Sequence, residues 1–260
     1  MIIWLYQLPD VLILLIFIVA TLLAMRLVHE CIHRFFSQRI SAHDDQLVSN
    51  IYQSIVILTS LVLTFSLVEV INTTHDVQKL VSTEASYVNN LDRILVRWGD
   101  PKIAAIREPL HRYTQLIVEQ EWPALRDGHE DLQTRQAVIP VATGVIDISP
   151  KNAREEALYA QALTLLSDIH RAREDRIEYA RFKLPSVYWY VIILAFLFQF
   201  MVSALLEKSV LSSWILRAQI SALAALFALV FIFNRPYQGE SGVKPEPLKY
   251  LLKVMDNRKM

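Results

Sequence analysis

Residues 51–71 read IYQSIVILTSLVLTFSLVEVI, an almost uninterrupted apolar run. The run contains no lysine or arginine, and its only acidic residue, Glu69, stands two positions from its end. A helix of this length, at about 1.5 Å per residue, matches the roughly 30 Å hydrocarbon layer of a bilayer. Because lipid offers peptide groups no hydrogen-bond partner, we expect these residues to cross a membrane as an α-helix.

Three further runs have the same character, at residues 11–28, 187–206 and 213–233. Arg26 lies near the end of the run 11–28, the first in chain order, where its side chain can snorkel to the interface. Arg217 lies one turn inside the fourth. Of the 260 residues, 53% are hydrophobic, slightly above the range of about 45–50% in soluble domains, and these runs hold the excess. The sequence therefore predicts an all-α membrane protein with four transmembrane helices.

A charged segment, residues 73–184, separates the second run from the third, and we expect a helical, water-exposed domain there. Its first part continues the second helix with an amphipathic stripe of Val77, Leu80, Val81, Ala85, Val88, Leu91 and Leu95. Further helices are predicted over 102–121 and 151–183, separated by an excursion at 127–150 with one short strand or turn. The charged run 168–176 is interpreted as a solvated helix face, or else as a surface that meets ions or lipid headgroups.

Four parts follow: residues 1–72 with the first two spans, the domain 73–184, residues 185–234 with the last two spans, and a tail 235–260. Basic residues concentrate in the tail and just before the third span, whereas the short connections hold only Arg26, Arg34, Arg39 and Lys208. The positive-inside rule then puts both termini and the domain in the cytoplasm. Two prolines, Pro245 and Pro247, indicate an extended tail that wraps a neighbour or touches anionic lipid.

Composition excludes several classes of function. The 26 basic and 26 acidic residues balance, which gives no sign of a nucleic-acid surface. The single cysteine, Cys31, excludes an intramolecular disulfide and a multi-cysteine metal site. With 5 glycines and no phosphate loop or dinucleotide fingerprint, no cofactor is expected.

Several short motifs resemble those of the bestrophin-like family of mostly bacterial membrane proteins. They are LTFSLV at 63–68, EA at 84–85, NLDR at 90–93, IHRAR at 169–173, ARFKLP at 180–185 leading to Trp189, and NRPYQG at 234–239 followed by Val243 and PL at 247–248. The family's last motif more usually begins with aspartate, where this chain has Asn234, and the glycines expected in the second span are missing. More remotely, the chain is similar to bestrophins, which are pentameric anion channels. The resemblance implies a homo-oligomer with a central pore lined by the second helix.

A stripe on the second helix agrees with a pore. At 100° per residue it alternates polar with apolar side chains, and we call it the α2 stripe: Gln53, Ile57, Ser60, Thr64, Leu67, Val68 and Ile71. A symmetric ring of such helices would place hydrophobic constrictions between hydrogen-bonding belts. The alternative is that small hydroxyl residues pack helix against helix, and we expect this of Thr59 and Ser66.

Residues 29–33 form an H-E-x-x-H motif, which indicates a second possible function. On a helix, His29 and His33 lie one turn apart and could share a zinc ion, with Glu30 as general base. A zinc site of this kind requires a third protein ligand, and Glu69 or His75 of the second span are the candidates considered. A role for these residues in hydrogen bonding at the interface or between helices is the simpler interpretation.

The leading hypothesis is therefore an oligomeric ion channel of the bacterial inner membrane, resembling bestrophins. It is not expected to be an enzyme, and it is expected to conduct anions in preference to cations. Its expected partners are the lipid bilayer, further copies of the chain and small inorganic ions, with no nucleic acid. Two alternatives stay open: a membrane zinc metalloprotease, and a non-conducting scaffold that binds a partner through its cytoplasmic helices.

Overall fold

The computed structural model describes residues 3–35, 42–206 and 209–258. Every regular element in these ranges is helical, which confirms the predicted all-α class. The elements are a 3₁₀ helix Ile3–Gln7, α1 Asp10–Phe35, α2 Ala42–Trp98, α3 Pro101–Ala104, α4 Arg107–Leu116, a π-helical turn Ile117–Glu121, α5 Trp122–Arg126, α6 Leu132–Ile146, α7 Ala153–Ala180, α8 Ser186–Leu206, α9 Val210–Phe233 and α10 Glu246–Asn257.

Four of these helices, α1, α2, α8 and α9, are long and apolar enough to cross a membrane. Helix α2 runs unbroken to Trp98, so the second predicted span continues into the amphipathic stripe without interruption. Helix α9 begins one turn before the predicted residue 213. The cause is a capping box: the Ser212 N–H donates to the Ser209 hydroxyl at 3.1 Å, and the Ser209 N–H donates to the Ser212 hydroxyl at 3.0 Å.

The chain divides into two compact units. Unit 1 comprises Met1–Asn72 and Lys183–Gly242, and unit 2 comprises Thr73–Phe182 and Val243–Met260. Three basic residues that entered the orientation argument, Arg39, Lys208 and Lys259, lie outside the described residues. The orientation stays a prediction.

Unit 1 is built on the packing of α1 against α9 and α8. Aromatic rings fill the contact: Tyr6 stacks on Phe231 at 4.7 Å between centroids, and Phe17 lies 5.1 Å from the same ring. The Tyr6 hydroxyl donates to the Phe231 carbonyl at 2.8 Å, so its buried polar atom is satisfied. Offset and edge contacts between aromatic rings add roughly 0.5–1.5 kcal/mol per pair beyond burial, which makes this corner a firm anchor for the start of α1.

Residues 234–241, which include the motif at 234–239, connect the ends of these helices. The Asn234 side-chain oxygen accepts the Leu184 N–H at 2.8 Å, a role that an aspartate oxygen could also fill. The Asp10 carboxylate accepts the Ser241 hydroxyl, and the Asp10 N–H donates to Glu240 at 3.2 Å. The replacement of aspartate by asparagine in this motif thus keeps the hydrogen-bond acceptor.

Unit 2 buries the amphipathic part of α2. All but Leu80 of the predicted stripe from Val77 to Leu95 are buried, and Leu80 is half-buried. The stripe is therefore the core face, as its spacing of three and four residues predicted.

The last part of unit 2 differs from its prediction. Residues 246–257 form helix α10, so the prediction of an extended tail is wrong. Proline at the first turn starts a helix without losing a hydrogen bond, which reconciles Pro247 with this structure. Arg258 binds the buried Asp92 carboxylate at 2.7 Å, opposite Arg107, which binds its other oxygen at 2.7 Å.

A buried ionic cluster lies in unit 2. Glu121 accepts from Arg173 and from Arg176 at 2.5 Å each, and Arg176 Nε lies 3.1 Å from a Glu84 oxygen. All four side chains are almost fully buried. Burial raises the pKa of the nearby Tyr113 hydroxyl, and the Glu84 carboxylate raises it further. The interpretation of 168–176 as a solvated face is therefore wrong for Arg173 and Arg176, because each pairs with carboxylates far away in sequence.

Residues 127–150 also differ from expectation. Most of them form α6, which contains Pro140 and Gly144, the residues that indicated an irregular excursion. The Asp131 side chain accepts the Thr134 N–H at 2.7 Å and so caps the helix. The predicted helix at 102–121 is likewise divided, into α3, α4 and the π turn that carries Glu121 into the core.

The ionic cluster generates a stability prediction. Replacing Arg176 by methionine leaves two buried carboxylates with one arginine, and such a loss typically costs about 3–5 kcal/mol. We expect the free energy of unfolding of Arg176→Met to fall by that amount. Tryptophan fluorescence during urea unfolding in detergent measures it, since Trp122 lies 5.9 Å from the Arg176 guanidinium.

Lys249→Met is the matched control, because it removes an exposed pair with Glu246 in the same unit. Exposed pairs are worth about 0–1 kcal/mol, so we expect little change. Equal losses in the two variants would contradict a buried cluster.

Candidate functional site

The predicted α2 stripe lies on the outward side of unit 1. Gln53, Ile57, Thr64 and Val68 are exposed, and Ser60, Leu67 and Ile71 are half-buried. Ile57 is 65% exposed although isoleucine is usually an interior residue. The stripe thus faces away from the interior of this chain.

The opposite face of the same helix is buried. Thr59 is 1% exposed and Ser66 is 0% exposed, beside the fully buried Leu63 and Val70. The Thr59 and Ser66 hydroxyls donate to the carbonyls four residues earlier, at 2.7 and 2.8 Å. Both residues occupy the packed side of α2, as the sequence predicted.

The hydroxyls of the stripe are satisfied by the helix itself. Ser60 donates to the Ile57 carbonyl at 2.9 Å, and Thr64 donates to the Ser60 carbonyl at 2.8 Å. Each oxygen retains lone pairs, and each hydroxyl can rotate to offer its hydrogen outward. The stripe can therefore hydrogen-bond water or an ion of either sign, but it holds no fixed charge.

Beside the stripe, α2 exposes a second, largely apolar strip, which also contains the exposed Ser54. Leu58, Leu61 and Phe65 are 62%, 48% and 64% exposed, and they lie about 100° around the helix from Gln53, Ser60 and Thr64. The outward side of α2 thus has two halves, one mixed polar and apolar, the other composed mainly of large apolar groups.

The H-E-x-x-H residues separate into different environments. His29 is buried, and its Nε2 lies 2.9 Å from the Ser203 hydroxyl oxygen. The same hydroxyl donates to the Phe200 carbonyl at 2.9 Å, so Ser203 links the His29 ring to the backbone of α8. Glu30 is exposed and pairs with Arg26 at 3.0 Å, and His33 is exposed.

Across residues 3–35, 42–206 and 209–258, no three His, Cys, Asp or Glu side chains lie close enough together to hold a metal ion. The hydrogen bond from His29 to Ser203 joins α1 to α8, a pairing that no local sequence pattern could reveal. The roles of His29 and His33 as zinc ligands and of Glu30 as general base stay predictions.

Comparison with solved structures supplies the fold. A crystal structure of a bacterial bestrophin homolog from Klebsiella pneumoniae, carrying a point mutation, aligns with a TM-score of 0.62 at 10% identity, over 95% of this chain and 96% of that chain. Another variant of a bestrophin homolog from that organism gives 0.61 at 11% identity over the same shares. A structure described as a membrane protein gives 0.63 at 12% identity, also over 95% and 96%.

Comparison with curated proteins by sequence gives no match. A protein-family model does match, and the match covers most of the chain, from the second turn of α1 to the first turn of α10. The model is described as the Bestrophin-like domain and matches residues 16–248, and this chain therefore belongs to the Bestrophin-like family.

Proposed function

We propose that this protein is a homo-oligomeric ion channel in which the α2 stripe lines a central pore. Both termini and unit 2 lie in the cytoplasm, and the apolar helices span a bacterial inner membrane. Membership of the Bestrophin-like family and the fold shared with bacterial bestrophin homologs support a channel. The residues of the pore are argued from α2 itself.

The observation that carries the proposal is the exposure of the α2 stripe. An amide and two hydroxyls lie on the outward side of a helix whose other face is fully packed. Hydrocarbon solvates such groups poorly, whereas a water-filled axis solvates them well. One helix cannot enclose an axis, so several copies related by rotational symmetry are required.

The apolar strip of Leu58, Leu61 and Phe65 fits this arrangement. When a helix turns one face toward an axis, its flanks meet the neighbouring copies in the ring. Because lipid tails are as apolar as these side chains, contact between copies gains no hydrophobic free energy here, but close packing adds dispersion contacts. The strip therefore supports contact between copies, next to the stripe that lines the pore.

The stripe also limits how the pore can discriminate between ions. Ile57, Leu67 and Val68 form apolar rings in a symmetric assembly, and such rings gate by dewetting. Between them, Ser60 and Thr64 must rotate their hydroxyl hydrogens away from helix carbonyls to solvate an anion. Selectivity for anions over cations follows the resemblance to bestrophins and will be moderate, because no charged ring is present in the stripe.

A first experiment tests the channel itself. The purified protein in liposomes should release chloride down a gradient, and in detergent it should have the mass of an oligomer. Light scattering and a chloride-sensitive dye provide the two measurements. A monomeric mass together with no flux of any small ion would contradict the proposal, and copurification of a stoichiometric partner would favour the scaffold alternative.

A second experiment tests which face of α2 lines the pore. Cys31 is the sole cysteine, so Cys31→Ser gives a background without thiols. In that background we expect a charged thiosulfonate reagent to reduce the flux of Ile57→Cys and Thr64→Cys by more than half, because the added group occupies the pore.

Leu58→Cys and Phe65→Cys are the matched controls, since each is the next residue along α2 and is similarly exposed. They should be nearly insensitive to the same reagent. Equal inhibition of both pairs would show that the α2 stripe is not the conducting face, while leaving the channel function itself intact.

A further inference from the structure

Helix α6 of unit 2 is apolar on two sides. Among its 15 residues only Arg135 is charged, and Arg135 pairs with Glu130 at 3.3 Å. One side is buried inside the unit and holds Thr134, Val141 and Val145. A helix on the surface of a soluble domain normally turns a charged face to water, whereas a helix that is apolar all round is normally buried. The outward side of α6 therefore needs a partner.

The outward side carries a row of large apolar groups, which we call the α6 outer face: Leu132, Ile139 and Ile146. They are 64%, 58% and 57% exposed. A spacing of seven residues is nearly two helical turns, so the row drifts by only about 20° per step. In the proposed function this unit lies in water. Single exposed apolar residues are ordinary there, but an aligned row of three indicates an interaction surface.

The charge around α6 indicates which partner covers this face. Residues 127–147 contain four acidic side chains and one arginine. Two of the acids, Asp127 before α6 and Asp147 directly after Ile146, are exposed, and neither has an ion-pair partner within residues 3–35, 42–206 and 209–258. The α6 outer face is thus apolar along its length and acidic at its ends. A complementary surface offers an apolar anchor together with positive charge.

Helix α10 of the same unit has both properties. Residues 244–258 contain four basic side chains and two acidic ones. Lys244 and Lys253 are exposed, and among the residues that the structure describes they have no ion-pair partner. Tyr250 lies three positions before Lys253, on the same side of α10, and it is 71% exposed. Tyrosine is one of the residues that most often dominate binding between proteins.

One further large apolar side chain of unit 2 is exposed in the described ranges, namely Val96 near the end of α2. The first turns of α7 hold that end close to the α6 outer face. Arg154 donates to the Arg97 carbonyl at 3.4 Å, and the Tyr159 hydroxyl donates to the Ile146 carbonyl at 3.2 Å. Val96 therefore borders the α6 outer face, which leaves α10 as the surface that can cover it.

We propose that the α6 outer face of one copy binds α10 of the neighbouring copy. Tyr250 packs against Ile139, and the lysines of α10 face the acidic ends of α6. The inference rests on the homo-oligomer of the proposed function and assigns one of its contacts. Because two different surfaces meet, the contact is head-to-tail, and rotational symmetry closes such a series into a ring. Helix α4 packs against both α6 and α10, so it carries both halves of the contact in each copy.

Cross-linking of the assembled protein tests the contact. In the Cys31→Ser background, Ile139→Cys and Tyr250→Cys are combined in one chain and treated with a short bismaleimide. We expect covalent dimers and higher multimers on denaturing gels, because each thiol meets its counterpart on the next copy. Either substitution alone should give at least tenfold less multimer, since a head-to-tail contact does not bring a residue against its own equivalent.

Gln133→Cys replaces Ile139→Cys in the matched control, because Gln133 is exposed on another side of α6. Paired with Tyr250→Cys, it should give little multimer. Multimers from Ile139→Cys alone would show that two α6 faces meet, and equal yields from the Gln133 and Ile139 pairs would show no specific contact, so either result overturns the proposal. A conducting oligomer without cross-links overturns this contact and leaves the proposed function standing, whereas a monomeric mass without flux overturns both.

Charge reversal tests the ionic part of the contact. Lys253→Glu, added to the Ile139→Cys and Tyr250→Cys pair, should lower the multimer yield about threefold or more, because it brings a carboxylate toward the acidic ends of α6. Asp147→Lys in the same chain should restore the yield. Lys253 and Asp147 are exposed, so neither change disturbs the core. A yield that Lys253→Glu leaves unchanged, or that Asp147→Lys lowers further, would overturn the predicted charge complementarity.

Discussion

The hydrogen-bonding need of the peptide backbone in lipid governs this molecule. Hydrocarbon cannot pair with N–H or C=O groups, so the four apolar stretches must satisfy their own backbones as helices. Side chains are then free to differ from face to face. On α2 the packed face holds Thr59 and Ser66, and the outward face holds Ser60 and Thr64. The same residue types serve packing on one side and, in our proposal, an aqueous axis on the other.

Polar groups inside the protein follow a stricter rule than those on its surface. Each buried charge of unit 2 has an opposite charge at hydrogen-bonding or ion-pair distance, as Glu121 has Arg173 and Arg176. Asp92 likewise accepts from Arg107 and Arg258. Desolvating an unpaired charge would cost several kcal/mol, which exceeds the value of most single contacts. The buried His29 illustrates the same rule among the apolar helices, since Ser203 satisfies it.

Local patterns were readable from the sequence, and distant pairings were not. The sequence predicted the spans, the continuity of α2 and the buried amphipathic face between Val77 and Leu95. Each of these depends only on the spacing of apolar residues within one helix. Pro140 and Gly144 indicated an irregular segment, because proline costs about 3 kcal/mol and glycine about 1 kcal/mol inside a helix, yet both lie within α6. Arg173 and Arg176 looked solvated because their partners, Glu84 and Glu121, lie 52 or more positions away in sequence. The sequence did not predict the His29–Ser203 hydrogen bond, because these two residues are also far apart in the chain.

The ion pair between Asp92 and Arg258 has a consequence for biosynthesis. The two residues are 166 positions apart, and α8 and α9 lie between them. A ribosome therefore synthesises both later apolar helices before Arg258. Until then, Arg107 can already bind one Asp92 oxygen, but the oxygen that accepts from Arg258 stays hydrated. Completion of unit 2 must therefore wait until the last apolar helix and the residues after it have been synthesised.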